Sequence, residues 1–163
     1  MVAGAVGLSV LVGALGAAGV PATEARFTDA EHTTSSTFTA LRLATSTITG
    51  CTVQNNGLGG FQSVTLSWTS PHPPAWVRLT LTQGATSAVV PAANISSSGP
   101  VGGLYSYTAT LSITTLGALL ANLLGGTTTL AVTNVHPGSS WVSPAVSRRL
   151  TIGALGLNST CTV

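Results

Sequence analysis

The chain has 163 residues, 44% of them apolar and only 5% charged, with a formal net charge of +2; that length fits one hydrophobic core and leaves little for a second domain. The positive residues are all arginines and only Arg148 and Arg149 are adjacent, which is no clustered footprint for nucleic acid and reads as a solvated strand end. The only acidic side chains are Glu24, Asp29 and Glu31, so from His32 onward no carboxylate pair exists for glycoside hydrolysis and none can orient a histidine in a triad, and the chain reads as non-catalytic.

The run from Val2 to Ala22 contains no charge and a single hydroxyl. It predicts an apolar N-terminal helix, with residues 1–25 acting as an export signal or a membrane anchor. Small residues at Val20-Pro21-Ala22 and Thr23-Glu24-Ala25 offer cleavage after Ala22 or Ala25. Five glycines weaken the run as a permanent helix, and a basic stretch is expected upstream of it. If the run is retained, it is the chain's route to a membrane.

Residues 26–44 form a predicted arm or first strand. Here Ala25-Arg26-Phe27-Thr28-Asp29-Ala30-Glu31 is followed, after a hydroxyl-rich stretch, by Thr37-Phe38-Thr39-Ala40-Leu41-Arg42-Leu43. This pattern resembles the SipW-type signal peptide proteins, the class that includes TasA-like biofilm matrix subunits. Phe27, Asp29, Glu31, Phe38, Ala40 and Leu43 take the matching positions, while Arg42 stands where that class carries an aspartate. The resemblance implies a bacterial exported protein, and an arm around Phe27, Asp29 and Phe38 that takes part in assembly. The departure at Arg42 bears on fibre formation, not on export.

From residue 45 to residue 163 the composition is hydroxyl-rich and β-branched, which favours pleated strands. Cys51 and Cys161 are the only two cysteines, and an exported chain with an even count predicts a disulfide, here stapling the first strand to the last. No CxxC pair or third soft ligand points to metal or redox chemistry, and no cofactor is expected. The run Phe61 to Trp68 alternates, with Val64, Leu66 and Trp68 on one face, and Pro71, Pro73 and Pro74 end it. Trp76 to Thr82 places Val77, Leu79 and Leu81 inward. Leu104 to Ile113 places Tyr105, Tyr107, Ala109, Leu111 and Ile113 inward. Leu116, Leu119, Leu120, Leu123 and Leu124 recur at helical spacing between Thr115 and Gly125, predicting one short helix that is either a lid on the core or a partner-binding face. Thr127 to Val135 and Val146 to Ile152 supply two further strands, with Leu130, Val132, Leu150 and Ile152 inward.

The order of these features resembles fibronectin type III and related immunoglobulin-like domains. The resemblance rests on Val64-Thr65-Leu66-Ser67-Trp68-Thr69-Ser70-Pro71 and on Ser140-Trp141-Val142-Ser143-Pro144, and it implies an all-β sandwich that binds or spaces. His32, His72 and His136 are scattered; His72 and His136 each precede a proline and read as turn residues, while His32 lies in the N-terminal segment. Gly57, Gly59 and Gly60 precede no lysine and no helix, so they form a loop, not a phosphate cradle. Asn94 and Asn158 match the glycosylation sequon, as hydroxyl-rich sequences do by chance. Two functions follow. In one, an exported structural protein at the cell surface self-associates through its arm. In the other, a monomeric adhesion or ligand-binding module uses Trp76 or Trp141 as its anchor, the alternative role of each being core packing.

Overall fold

Along most of the chain from Thr47, hydroxyl-bearing residues alternate with buried aliphatic or aromatic ones, and each alternating run forms a strand because successive side chains point to opposite faces. The computed structural model describes residues 42–120 and 123–163, which fall within one compact unit, Ala40–Val163. The predicted leader and its helix, Ala22 and Ala25, and the arm residues Phe27, Asp29 and Phe38 lie outside the described residues.

The elements are β1 (Thr47–Asn55), β2 (Phe61–Ser70), β3 (Val77–Gln83), β4 (Thr86–Val89), β5 (Ile95–Val101), β6 (Leu104–Ser112), α1 (Ile113–Leu119), β7 (Thr127–Asn134), β8 (Val146–Thr151) and β9 (Thr160–Thr162). They make two sheets, ordered β1-β2-β6-β5 and β4-β3-β7-β8-β9, with every neighbouring pair antiparallel. This is the strand order of an immunoglobulin-like sandwich, with β9 added at an edge and a helix inserted between β6 and β7.

Between the sheets lie Val64, Leu66 and Trp68 from β2, Leu79 and Leu81 from β3, Tyr107, Ala109 and Leu111 from β6, Leu130 and Val132 from β7, and Leu150 from β8. Each fully buried Leu or Val contributes about 1.5–3 kcal/mol of transfer free energy, and this term holds the sheets together. Trp68 and Tyr107 are register partners, and their rings stack with centroids 5.4 Å apart. The outward faces carry hydroxyls in rows across the strands, such as Thr52–Thr65–Thr110, where the last two hydroxyls lie 3.1 Å apart.

The helix is shorter than its leucine spacing predicts. Ser112 caps it by accepting a hydrogen bond from the Thr115 N–H at 3.1 Å, and the backbone is extended again by Leu120. Ile113, expected as the last inward residue of a strand, is instead the first residue of α1 and is exposed. Leu116 and Leu120 are buried and Leu119 and Leu123 pack against the core, so the stripe is a lid; only Leu124 turns outward. Trp76 falls in a 3-10 turn before β3, where Pro73 and Pro74 delay the strand. Arg148 and Arg149 lie in the middle of β8, not at a strand end. Arg149 faces solvent, whereas Arg148 pairs with Leu130 at an inward position and is half-buried, its guanidinium donating to the Ser147 carbonyl at 3.0 Å.

Cys51 and Cys161 form a disulfide with Cα atoms 5.8 Å apart. Cys51 is on β1, the edge of one sheet, and Cys161 on β9, the edge of the other, so the bond closes one open side of the sandwich. The two remaining edges are poor templates for another chain: β4 is four residues long, and β5 contains Pro100, which lacks an amide to donate.

Candidate functional site

Antiparallel register decides which loops share an end. Thr47 pairs with Thr69 and Val77 with Asn134, so the segment before β1, the β2–β3 loop and the β7–β8 loop meet at one end of the sandwich. Trp76 and Trp141 collect there with His72 and His136. His72 stacks on Trp76 with centroids 5.1 Å apart, His136 meets the same indole edge-on at 4.6 Å, and Trp141 lies 6.4 Å beyond His136. The sequence reading treats the histidines as scattered; the fold brings His72 and His136 onto one tryptophan. His72 Nε2 and His136 Nδ1 are buried with no hydrogen-bond partner among the described residues.

This end is held by a buried asparagine. Asn134 closes the inward series Thr128, Leu130, Val132 on β7, and its amide sits where an aliphatic chain would otherwise sit. Its Oδ1 accepts from the hydroxyls of Ser46 at 3.1 Å and Ser70 at 3.0 Å, and its Nδ2 donates to the Ala44 carbonyl at 2.6 Å. Its backbone N–H donates to Ser143 Oγ at 2.9 Å, and its carbonyl accepts from the Ser143 N–H at 2.8 Å. One residue therefore joins both sheets, the incoming segment and the β7–β8 loop, and its polar atoms are satisfied as a buried amide requires. Tyr107 reaches the same region from β6, its hydroxyl donating to the His72 carbonyl at 2.6 Å. Burial, and secondarily the neighbouring Tyr105, push the Tyr107 phenol up to about 12.

Beside this scaffold lies an open groove of ≈ 910 Å³. One wall is the incoming segment Arg42, Leu43, Ala44 and Thr45, and the other is Trp141, Val142 and Pro144. Trp141 is 51% exposed and Val142 is also exposed, while Trp76 is half-buried between the imidazoles. Of the two tryptophans, Trp141 is the more exposed, and Trp76 packs between the histidines of the two loops. Among the described residues no three His, Cys, Asp or Glu side chains come together to hold a metal ion, and no helix is long and apolar enough to cross a membrane. The groove is mainly apolar with one guanidinium, Arg42, at its wall.

Asn134, Ser46, Ser70 and Ser143 escape sequence reasoning because each is an ordinary polar residue alone. The available signal is that Asn134 continues the inward alternation of β7.

Compared with protein-family models, with curated proteins and with solved structures, the chain matches none. What fold and site define is an immunoglobulin-like sandwich whose β2–β3 and β7–β8 loops build an aromatic end beside an open groove.

Proposed function

We propose that the chain is an exported, non-catalytic structural module of the cell surface or extracellular matrix that associates with further copies of itself or with a protein partner. The groove carries this reading: residues 42–45 form one wall, and a half-exposed tryptophan sits at the other. The Cys51–Cys161 bond supports an oxidising compartment, since such bonds persist outside the cytosol. Nucleic acid is not a proposed partner, and the membrane enters only through an N-terminal segment that is retained.

The test is intact mass and size-exclusion chromatography of protein recovered from the culture supernatant. The expected species is cut after Ala22 or Ala25, two hydrogens light for the disulfide, and larger at higher concentration; deleting residues 26–38 abolishes the assembly. A chain found unprocessed in the membrane fraction would sink the exported-subunit reading.

The second reading is a monomeric adhesion or ligand-binding module. It is favoured by the His72–Trp76–His136–Trp141 cluster on the two loops that binding members of such sandwiches use. A processed chain that stays monomeric at every concentration selects it.

A further inference from the structure

The opposite end of the sandwich presents leucines on closed turns. Asn55 pairs with Phe61 and Thr127 with Thr151, so the β1–β2, α1–β7 and β8–β9 connections meet there. Their backbones are tied together: Phe61 N–H donates to the Gly156 carbonyl at 2.8 Å, Gly125 N–H to the Ile152 carbonyl at 2.9 Å, and Gly60 bridges Leu157. These loops carry Leu58 at 91% exposure, Leu155 at 83% and Leu124 at 55%, in a chain that buries Leu66, Leu79, Leu81 and Leu130 completely. No charged residue stands in any of the three connections. The tips also bond their own backbone polar groups. Asn56 N–H donates to the Gly60 carbonyl at 2.7 Å and Gly59 N–H to the Asn56 carbonyl at 2.9 Å, while Asn56 Oδ1 accepts from the N–H groups of Leu58 at 3.0 Å and Gly60 at 2.8 Å. Around Leu155, Gly156 N–H donates to the Gly153 carbonyl at 2.8 Å and closes the turn.

We propose that this leucine end inserts into the surface of an anionic lipid bilayer. The inference goes beyond the reading above, in which only the leader reaches a membrane, and it does not depend on self-association. Hydrogen bonding selects lipid over protein. The tips Gly57-Leu58-Gly59 and Ala154-Leu155-Gly156 have no side chain that can donate or accept, and the N–H groups of Leu58, Gly59 and Gly156 are already engaged. A protein interface is built with hydrogen bonds across it, whereas acyl chains offer none and admit backbone only where it is bonded internally. Area agrees: a few leucines supply a few hundred Å², short of the roughly 800 Å² per partner of a standard protein interface. Insertion into lipid gains with each apolar group buried and needs no matching surface. Charge agrees as well. Arg149 is exposed on β8 two residues before Thr151, so it stands roughly 7 Å behind the leucine end of that strand. Tips buried about 5–10 Å into the boundary set this guanidinium among the headgroups. Residues 42–163 contain Arg42, Arg78, Arg148 and Arg149 and no acidic side chain to oppose an anionic surface.

The test is vesicle flotation of the chain without its leader, residues 26–163, which keeps the compact unit Ala40–Val163 whole. The vesicles are phosphatidylcholine with phosphatidylglycerol at about seven to three, or phosphatidylcholine alone. Wild-type protein is expected to float with the mixed vesicles and to keep part of that binding at roughly 0.5 M salt, which screens the arginine and not the leucines. Leu58→Asn with Leu155→Asn leaves the net charge unchanged and alters two exposed side chains, and an unchanged melting temperature checks the fold. This variant is expected to bind roughly a hundredfold more weakly. Arg149→Gln is expected to lower affinity for the mixed vesicles roughly fivefold and to leave that for phosphatidylcholine alone unchanged. Trp141→Ala, at the other end, is expected to bind as the wild type does. Wild-type protein that stays unbound, a leucine variant that floats as well as the wild type, or binding that salt removes entirely overturns the insertion. Loss of binding in Trp141→Ala alone places the contact at the groove and overturns it too.

Discussion

The Tyr107 hydroxyl lies 2.6 Å from the carbonyl oxygen of His72, so a strand in the middle of one sheet holds the loop that carries the aromatic end. Tyr107→Phe keeps the ring stacked on Trp68 and leaves that carbonyl unmatched. The expected cost is about 1–2 kcal/mol, read from the shift in the denaturation midpoint.

The same phenol sets an alkaline limit. Burial, with Tyr105 beside it, raises Tyr107 from 10.0 to about 12, so the unfolded chain loses this proton first as pH rises. Its contribution is complete below pH 10 and lost between 10 and about 12, an effect of up to about 2–3 kcal/mol. Unfolding followed across that window should show a decline that Tyr107→Phe flattens; an equal decline in the variant assigns the effect to other groups.

Asn134 holds the segment before β1 to the body through Ala44 and Ser46. Asn134→Ala leaves those groups and Ser70 without their partner at a cost of about 2–4 kcal/mol. Hydrogen exchange should quicken at residues 43–46 more than at Leu66 or Leu130; uniform quickening would mean the residue acts only through global stability.

Leu116 separates a lid from a docking stripe. Leu116→Ala empties a fully buried site and should cost about 2–5 kcal/mol, whereas Leu124→Ala, on an exposed side chain, should cost less than about 0.5 kcal/mol. Equal small effects on thermal unfolding would contradict the packing of α1 on the core.

The alternating runs are legible in the sequence because a half-buried sheet needs period two. Val64, Leu66 and Trp68, then Leu79 and Leu81, then Leu130 and Val132 all occupy the faces their spacing predicts. β5 is not legible: Ile-Ser-Ser-Ser-Gly-Pro-Val has no apolar alternation, and pairing with β6 imposes its extended form. β9 is three residues long and is set by Leu150 on one side and the disulfide on the other. The helix is legible as a helix but not in length, because the backbone is extended again at Leu120, whose side chain still packs in the core. At the site, the sequence marks Trp76 and Trp141 as residues to weigh, and the structure leaves Trp141 the more exposed of the two. The meeting of His72 with His136 is not legible, since it depends on two loops brought to one end by strand register.

Replacing Cys51 and Cys161 with alanine removes a link across 110 residues of chain. The loop-entropy model assigns it about 4–5 kcal/mol, a fall in melting temperature on the order of 15 °C. A shift of only a few degrees would mean that the hydrogen bonds of β9 and the core already restrain the seam.

That bond also sets the mechanics of the chain. Tension applied between the N-terminal side and the C-terminus runs through Cys51 to Cys161 and bypasses the sandwich between them. In the oxidised protein the core bears little of a pull along the chain, because the line of force passes from Cys51 directly to Cys161. Reduction puts the intervening strands back into the line of force, so a tethered copy changes from a nearly inextensible link to one that can unravel.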